Sequence, residues 1–323
     1  MSEPTLKIRN LKVYYYTEKG AVKAVDDVSF DLQQSVRLGL VGESGCGKST
    51  MAMGIMRLIR PPGRIAGGQV ILDGTDLTTL TDEKMRQTRL SQVSLIPQGA
   101  MNSLNPVVRV REQIVDGIED HDVNLSKIEM QNRIEEVLRS VDLQPGVASM
   151  YPHELSGGMK QRVCVAIAIS LRPKLIIADE PTSALDVVVQ RQVMETIQRL
   201  QKEMGISMIL IGHDMGLMAQ SVDQLAVMYA GKLVELSPVM ELFDTPLHPY
   251  SQLLISTLPT LETKGVFRSI PGITPSLLEP PSGCLFHPRC PKAMDICSRQ
   301  VPLLIEQEQG RWVACHLVDE VNR

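Results

Sequence analysis

No apolar run in this chain reaches the roughly 18 residues that mark a membrane span. The opening stretch, MSEPTLKIRN, has no apolar core of the kind a secretory leader needs, so a cytosolic chain is expected. Charge of one sign is lacking as well. A net charge of -4 gives no field able to recruit a nucleic-acid backbone, and no nucleic-acid partner is expected. The cysteines show no C-x2-C pair of the zinc-ribbon kind. What is present is ordinary for a globular protein: 323 residues, 43% apolar and 22% charged, enough for one or two domains with a large core.

Hydrophobic patterning divides the chain. Leu6–Val13 and Val22–Leu32 alternate as strands around a turn at Gly20. Val36–Val41 is a short buried run that ends at a glycine-rich loop. A helix is expected from Lys48, carrying Met51, Ile55, Leu58 and Ile59 inward and stopped by Pro61-Pro62-Gly63. Val93–Ile96 is a further strand. From 97 to 163 strand signals are few, and 126–141 places Ile128, Ile134, Val137, Leu138 and Val141 on one helical face, which reads as a helical insert. The alternation then resumes with a strand at Leu175–Ala178, a helix over 187–203 with Val193, Ile197 and Leu200 inward, and a strand at Ile206–Ile211. Such alternation argues for a parallel sheet. Leu225–Tyr229 and Lys232–Leu236 read as a closing hairpin around Gly231. Beyond 236 lie 11 of the 20 prolines, so regular structure there must be short, as in a separate appendage.

The glycine-rich loop, Gly42-Glu43-Ser44-Gly45-Cys46-Gly47-Lys48-Ser49, fits G-x-x-x-x-G-K-[ST]. Glycines let backbone N–H groups wrap phosphates, and the following helix presents its positive end. In that chemistry Lys48 bridges the β- and γ-phosphates and Ser49 ligates Mg²⁺. Asp179 ends an apolar strand, where a Mg²⁺-holding aspartate belongs, and Glu180 is placed to polarise an attacking water. Ser49, Gln98, Asp179 and His213 all fall just beyond expected strand ends, the edge at which open α/β sheets bind ligands. Ser156-Gly157-Gly158 offers exposed backbone donors at another helix start, a second anion site. Cys46 stands in a place commonly filled by serine and reads as a spacer; a helix N-terminus can lower a thiol pKa, so some ATP-protectable alkylation is expected there.

Taken in order, the loop at 42–49, Leu155-Ser156-Gly157-Gly158-Met159-Lys160-Gln161, Leu175-Ile176-Ile177-Ala178-Asp179-Glu180 and His213 resemble the motif set of ABC transporter ATP-binding subunits over essentially the whole chain. The resemblance implies an α/β P-loop ATPase core with an antiparallel β subdomain. It implies nucleotide contacts from Tyr15, stacked on adenine, and from Gly42, Ser44, Gly45, Cys46, Gly47, Lys48, Ser49 and Thr50, with Asp179. Catalytic roles go to Glu180, to His213 at the γ-phosphate, and to Gln98 at Mg²⁺ and the lytic water. Ser156, Gly157 and Gly158 would meet the γ-phosphate held by another subunit in a head-to-tail dimer, with Ser183-Ala184-Leu185-Asp186 lining the seam. Met159 stands where the signature commonly has glutamine. No position of the set is degenerate.

Ser103-Leu104-Asn105-Pro106, Tyr151-Pro152-His153-Glu154, His248-Pro249-Tyr250, Pro271-Gly272 and Gly283-Cys284-Leu285-Phe286-His287-Pro288-Arg289-Cys290-Pro291 resemble the peptide-type importers in particular (oligopeptide, dipeptide and nickel systems). Gln98-Gly99-Ala100-Met101 departs from that branch, which carries Asp-Pro after the glutamine. The implied organisation is an ATP-binding core at 1–96 and 164–235, a helical subdomain at 97–163, and a C-terminal extension at 236–323. Cys284, Cys290, Cys297 and Cys315 form C-x5-C-x6-C-x17-C, a quartet that some members of the branch use for a [4Fe–4S] cluster. Zn²⁺ or four free thiols are the alternatives. The implied partners are a second, paralogous ATPase, two membrane permeases and an external solute-binding protein, at the cytoplasmic face of the membrane. An oligosaccharide or nickel importer, and a non-transport ABC ATPase, are the competing readings.

Overall fold

A computed structural model of the chain describes residues 3–258 and 270–321. Residues 1–2, 259–269 and 322–323 of the expected first and last segments lie outside the described residues. In chain order the elements are β1 (Leu6–Thr17), β2 (Gly20–Leu32), β3 (Arg37–Val41), α1 (Lys48–Ile55), β4 (Gly63–Leu72), β5 (Thr75–Asp76), α2 (Asp82–Thr88), β6 (Val93–Ile96), α3 (Val110–Glu119), α4 (Lys127–Ser140) and α5 (Gly157–Ile169). They continue with β7 (Leu175–Asp179), α6 (Val187–Met204), β8 (Ser207–Ile211), α7 (Met215–Ser221), β9 (Gln224–Tyr229), β10 (Lys232–Pro238), α8 (Val239–Asp244), α9 (Pro249–Ser256), β11 (Ile305–Glu308), β12 (Arg311–Val313) and α10 (His316–Val321). Among the described residues no helix is long and apolar enough to cross a membrane.

The chain forms two compact units. One comprises residues 1–5, 32–36 and 79–210. Here β6 runs parallel to β7, Val93 opposite Leu175, and β8 lies on the other side of β7. These strands are Leu-, Ile- and Val-rich and buried, as covered parallel strands must be. Helix α4 starts at Ser126, whose hydroxyl accepts from Glu129 N–H while the Glu129 carboxylate accepts from Ser126 N–H. Its buried face is Met130, Ile134, Val137 and Leu138. The sequence put Ile128 on that face, but Ile128 is 75% exposed. Ile128 precedes Ile134 by six residues, about 120° round the helix, whereas Met130 precedes it by four, about 40°, and shares the buried face. Asp142 ties α4 to its neighbours. Its carboxylate accepts from Arg162 (2.8 Å), Arg199 (2.9 Å) and Thr196 (3.0 Å), on α5 and α6.

The other unit comprises residues 6–31, 37–78 and 211–323. Strands β2, β1, β4 and β5 form one sheet, with β1 antiparallel to β4 (Leu6 opposite Leu72). A second series runs β11-β12-β10-β9-β3, with β3 parallel to β9 and the rest antiparallel. Helix α1 is shorter than its pattern predicts. It ends at Ile55 because Arg57 adopts a left-handed conformation (φ 49°) after Gly54, and Leu58 is 38% exposed.

The proline-rich segment holds only short elements, as expected, yet it is not set apart from this unit. Strand β12 extends the sheet by pairing with β10, Leu236 opposite Trp312 and Glu235 opposite Val313. Tyr229 of β9, Tyr250 of α9 and Phe286 pack as one aromatic cluster, with ring centroids 4.7 to 5.4 Å apart. Sequence periodicity could not show this, because β12 is three residues long.

Asp142→Ala is expected to lower unfolding stability by about 1–2 kcal/mol, since three donors lose one acceptor at a partly exposed site. Urea denaturation at neutral pH measures it; an unchanged midpoint would leave Asp142 without a structural role.

Candidate functional site

The glycine-rich loop follows β3 and is packed backbone against backbone. Gly42 (φ 147°) places its α-carbon so that a β-carbon would lie 2.2 Å from the Met228 carbonyl oxygen. At Gly47 (φ 108°) a β-carbon would lie 2.0 Å from the Ala24 carbonyl oxygen. Neither gap admits a side chain, and both conformations are strained for any other residue. Gly231 N–H donates to the Cys46 carbonyl at 2.9 Å, fixing the middle of the loop from the β9–β10 turn. Lys48 is 7% exposed, and its Nζ donates to the Gly42 and Glu43 carbonyl oxygens at 2.8 and 3.0 Å. The cation is thus folded into the loop it opens. Ser44 and Gly45 are exposed, Ser49 and Thr50 half-buried.

Cys46 corrects the sequence expectation. Its side chain is fully buried, and burial pushes the thiol pKa up, against the lowering influence of Lys48. Desolvation outweighs the helix end.

Glu43, which the sequence left unassigned, is the most heavily contacted residue of the loop. Its carboxylate accepts from Arg289 Nη1 (2.7 Å) and Nη2 (2.8 Å), a bidentate pair, and from Thr274 Oγ1 (2.7 Å). Arg289 and the Thr274 hydroxyl hold this carboxyl below the usual carboxylate range despite its partial burial. Its N–H donates to Tyr250 Oη at 2.9 Å. Tyr250 is positioned in turn by His248, whose Nδ1 accepts from Tyr250 N–H at 3.0 Å and starts α9, with Pro249 at the first helical position. Burial pushes the His248 imidazole down to about 3, so it stays neutral and able to accept. Buried Glu235 accepts from the Leu247 and His248 N–H groups at 2.9 Å each. The His248-Pro249-Tyr250 run was visible in sequence only as a family marker. Its contact with the loop was not, because it spans some 200 residues.

Tyr15 lies on β1 over Gly63, where a β-carbon would meet its ring at 2.6 Å. Tyr14 and Tyr16 share the opposite face, with rings 6.5 Å apart, as strand alternation requires. Tyr14 donates to Asp26, and Tyr16 carries the Arg64 guanidinium 4.2 Å above it. His213 follows β8 by two residues and is exposed, just before the Asp214 cap of α7.

In the first unit, Asp179 ends β7 and is 1% exposed. Glu180 follows with φ 45°, in the left-handed region. Gln98 Nε2, two residues past β6, donates to Glu180 Oε2 at 3.1 Å. Two positions singled out separately in the sequence therefore meet. Ser156 caps α5, its hydroxyl accepting from Met159 N–H at 3.3 Å. Ser156 and Gly157 are exposed, while Gly158 is needed for packing as well, since a β-carbon there would lie 2.6 Å from Val189 Cγ1 on α6. Asp186 caps α6 by accepting from Val188 and Val189 N–H, leaving Val187 and Val188 81% and 67% exposed.

Cys284, Cys290, Cys297 and Cys315 line one small pocket together with His248 and His316. Burial pushes the thiols of Cys284, Cys290 and Cys315 up, the last to about 11, and neighbouring thiols add to each shift. Among the described residues no three His, Cys, Asp or Glu side chains are grouped so as to hold a single metal ion.

Iodoacetamide at pH 8 is expected to label Cys46 at least about tenfold more slowly than a free thiol, equally with and without ATP. Rapid, ATP-protected labelling, read by mass spectrometry, would show instead that the loop opens.

The chain matches the family described as "ABC transporter" over residues 25–183 and "Oligopeptide/dipeptide transporter, C-terminal region" over residues 234–297. It is 41% identical to a dipeptide transport ATP-binding protein, DppD, of Caldanaerobacter subterraneus, covering 98% of this chain and 97% of that one. It is 42% identical to the oligopeptide transport ATP-binding protein OppD of Escherichia coli, covering 97% and 93%. Among solved structures it is similar to the dimeric, post-hydrolysis ATP-binding cassette MJ0796 bound to ADP and phosphate, with TM-score 0.65 and 26% identity over 72% of this chain and 98% of that one. The loop, the capped signature helix and the Asp179-Glu180 strand end thus stand in a chain that belongs to the ABC transporter family, among the ATP-binding, ATP-hydrolysing subunits of its oligopeptide/dipeptide branch.

Proposed function

We propose that this chain energises import of oligopeptides, dipeptides or chemically related solutes by hydrolysing ATP between two such subunits. The names of its relatives support the solute class. The observation that carries the mechanism is the Gln98–Glu180 hydrogen bond, one residue beyond the buried Asp179. A carboxylate held in this way can take the proton of a water attacking the γ-phosphate.

The loop at Gly42–Ser49, with Thr50, binds the phosphates through backbone N–H groups. Lys48 exchanges its two carbonyl partners for phosphate oxygens. Tyr15 carries the adenine. Asp179, Ser49 and Gln98 are hard oxygen donors of the kind Mg²⁺ takes, and the ion, when bound, neutralises charge developing on the phosphates. His213 donates to the γ-phosphate. Ser156, Gly157 and Gly158 present a capped helix start to the nucleotide of a second subunit. Exposed Val187 and Val188 beside the Asp186 cap suit the same seam.

We assign 1–96 with 164–235 to ATP binding, 97–163 to the helical subdomain and 236–323 to the branch-specific extension. The partners are a second ATPase subunit of paralogous sequence, two membrane permeases docked near Gln98, and an external solute-binding protein. The chain is placed peripherally on the cytoplasmic face of the membrane.

The four cysteines are further assigned to a [4Fe–4S] cluster. They line one pocket, which supports a shared ligand; Zn²⁺ and four free thiols are the alternatives. A cluster, when bound, staples a segment whose own core is small. Burial that keeps these thiols protonated is reversed on ligation, which releases protons.

Glu180→Gln is expected to lower ATP turnover by about 10²-fold or more and to accumulate an ATP-bound dimer on gel filtration. Wild-type turnover would remove Glu180 from the base role. Anaerobically purified protein is expected to carry about four irons and four sulfides per chain. Stoichiometric zinc would make the pocket a plain staple, and absence of both metals would leave four thiols.

A further inference from the structure

The loop carries a liability of its own. Glu43 is an anionic side chain in the loop that the reading above assigns to the ATP phosphates. A carboxylate beside a triphosphate repels it, and does so strongly where solvent is excluded. Glu43 is 23% exposed at its side chain, so water screens it only in part. A guanidinium from 246 residues downstream meets it. Arg289 is 5% exposed and forms the bidentate pair through Nη1 and Nη2. The guanidinium is itself immobilised: Nε donates to the Pro271 carbonyl (2.8 Å), Nη2 to the Ile270 carbonyl (3.3 Å), and Nη1 to Tyr229 Oη (3.2 Å). Every donor direction of the fork is used. The same Glu43 lends its backbone carbonyl to Lys48 Nζ.

We infer that Arg289 is a positioning residue for nucleotide binding: it holds Glu43 in place, sets the carbonyl on which Lys48 rests, and cancels the carboxylate's charge at the phosphate loop. Arg289 acts through Glu43 and touches no reacting atom. The inference rests on the loop being the ATP site. It ties the cysteine-bearing segment to the ATPase step through the residue next to Cys290, whatever the cysteines hold.

A double-mutant cycle on the full chain tests it, read as MgATP affinity by calorimetry at two salt concentrations. Arg289→Met keeps the buried stem and is expected to weaken MgATP binding about tenfold, with the deficit shrinking as salt rises. Glu43→Gln alone drops the charge while the amide keeps hydrogen bonds, and its measured MgATP affinity is the reference against which the double variant is read. In the double variant E43Q/R289M affinity should recover to near that of E43Q, because no unpaired carboxylate remains. Arg289→Lys, a single-point donor, should fall between wild type and R289M. A double variant as weak as R289M would reduce Arg289 to a structural strut, and unchanged affinity in R289M would overturn the inference. Should R289M not fold, R289K with and without E43Q decides on the same criterion. Lys48→Ala separates the two readings: if it binds MgATP like wild type, the assignment of the loop fails and the inference falls with it, whereas if Lys48→Ala binds weakly and R289M binds like wild type, the loop stands and only the role of Arg289 fails.

Discussion

The phosphate loop can exist in this shape only because two glycines let main chain touch main chain. Gly42 rests against the Met228 carbonyl and Gly47 against the Ala24 carbonyl, at separations no β-carbon tolerates. At the end of the same loop Lys48 is buried and turns its Nζ onto the Gly42 and Glu43 carbonyls. Strands β2 and β9 supply the two carbonyl floors, so the loop takes its form from its glycines and from two strands of the same unit together.

A second theme is the use of caps as binding surfaces. Ser156 and Asp186 each satisfy backbone donors at the start of a helix, at α5 and α6. At α5 the cap is followed by glycines and stays exposed, which leaves donors for an anion. At α6 the carboxylate takes two donors itself, and the adjoining valines face outward. The same local device therefore yields an exposed, glycine-flanked end in one helix and an apolar, self-satisfied end in the other.

Much of this was legible in the sequence, for a definite reason. The parallel strands are buried on both faces and read as apolar runs, and the chemical residues sit at their ends, where chain order reports them. Val93–Ile96, the strand ending at Asp179, and the inward face of 187–203 needed only local pattern. Two details differ: Ile128, six residues before Ile134, falls off the buried face, and Arg57 ends α1 early. What could not be read was long-range polar pairing. Nothing in the loop announces that Glu43 will be met by Arg289 and Tyr250, because hydrogen bonds between groups more than 200 residues apart leave no periodicity. At Cys46 the helix start suggested some thiol reactivity beside a spacer role, and its neighbours in space remove the thiol from water.

Strand β12 carries one more consequence. Trp312, the chain's one tryptophan, is half-buried on that short strand, paired with Leu236 and three residues before Cys315. Intrinsic tryptophan emission from this protein therefore comes from a single address, at the sheet edge and close in sequence to the thiol pocket. It is a built-in optical label for the C-terminal segment, one that an absorbing metal group held by those thiols would dim without any dye having been attached.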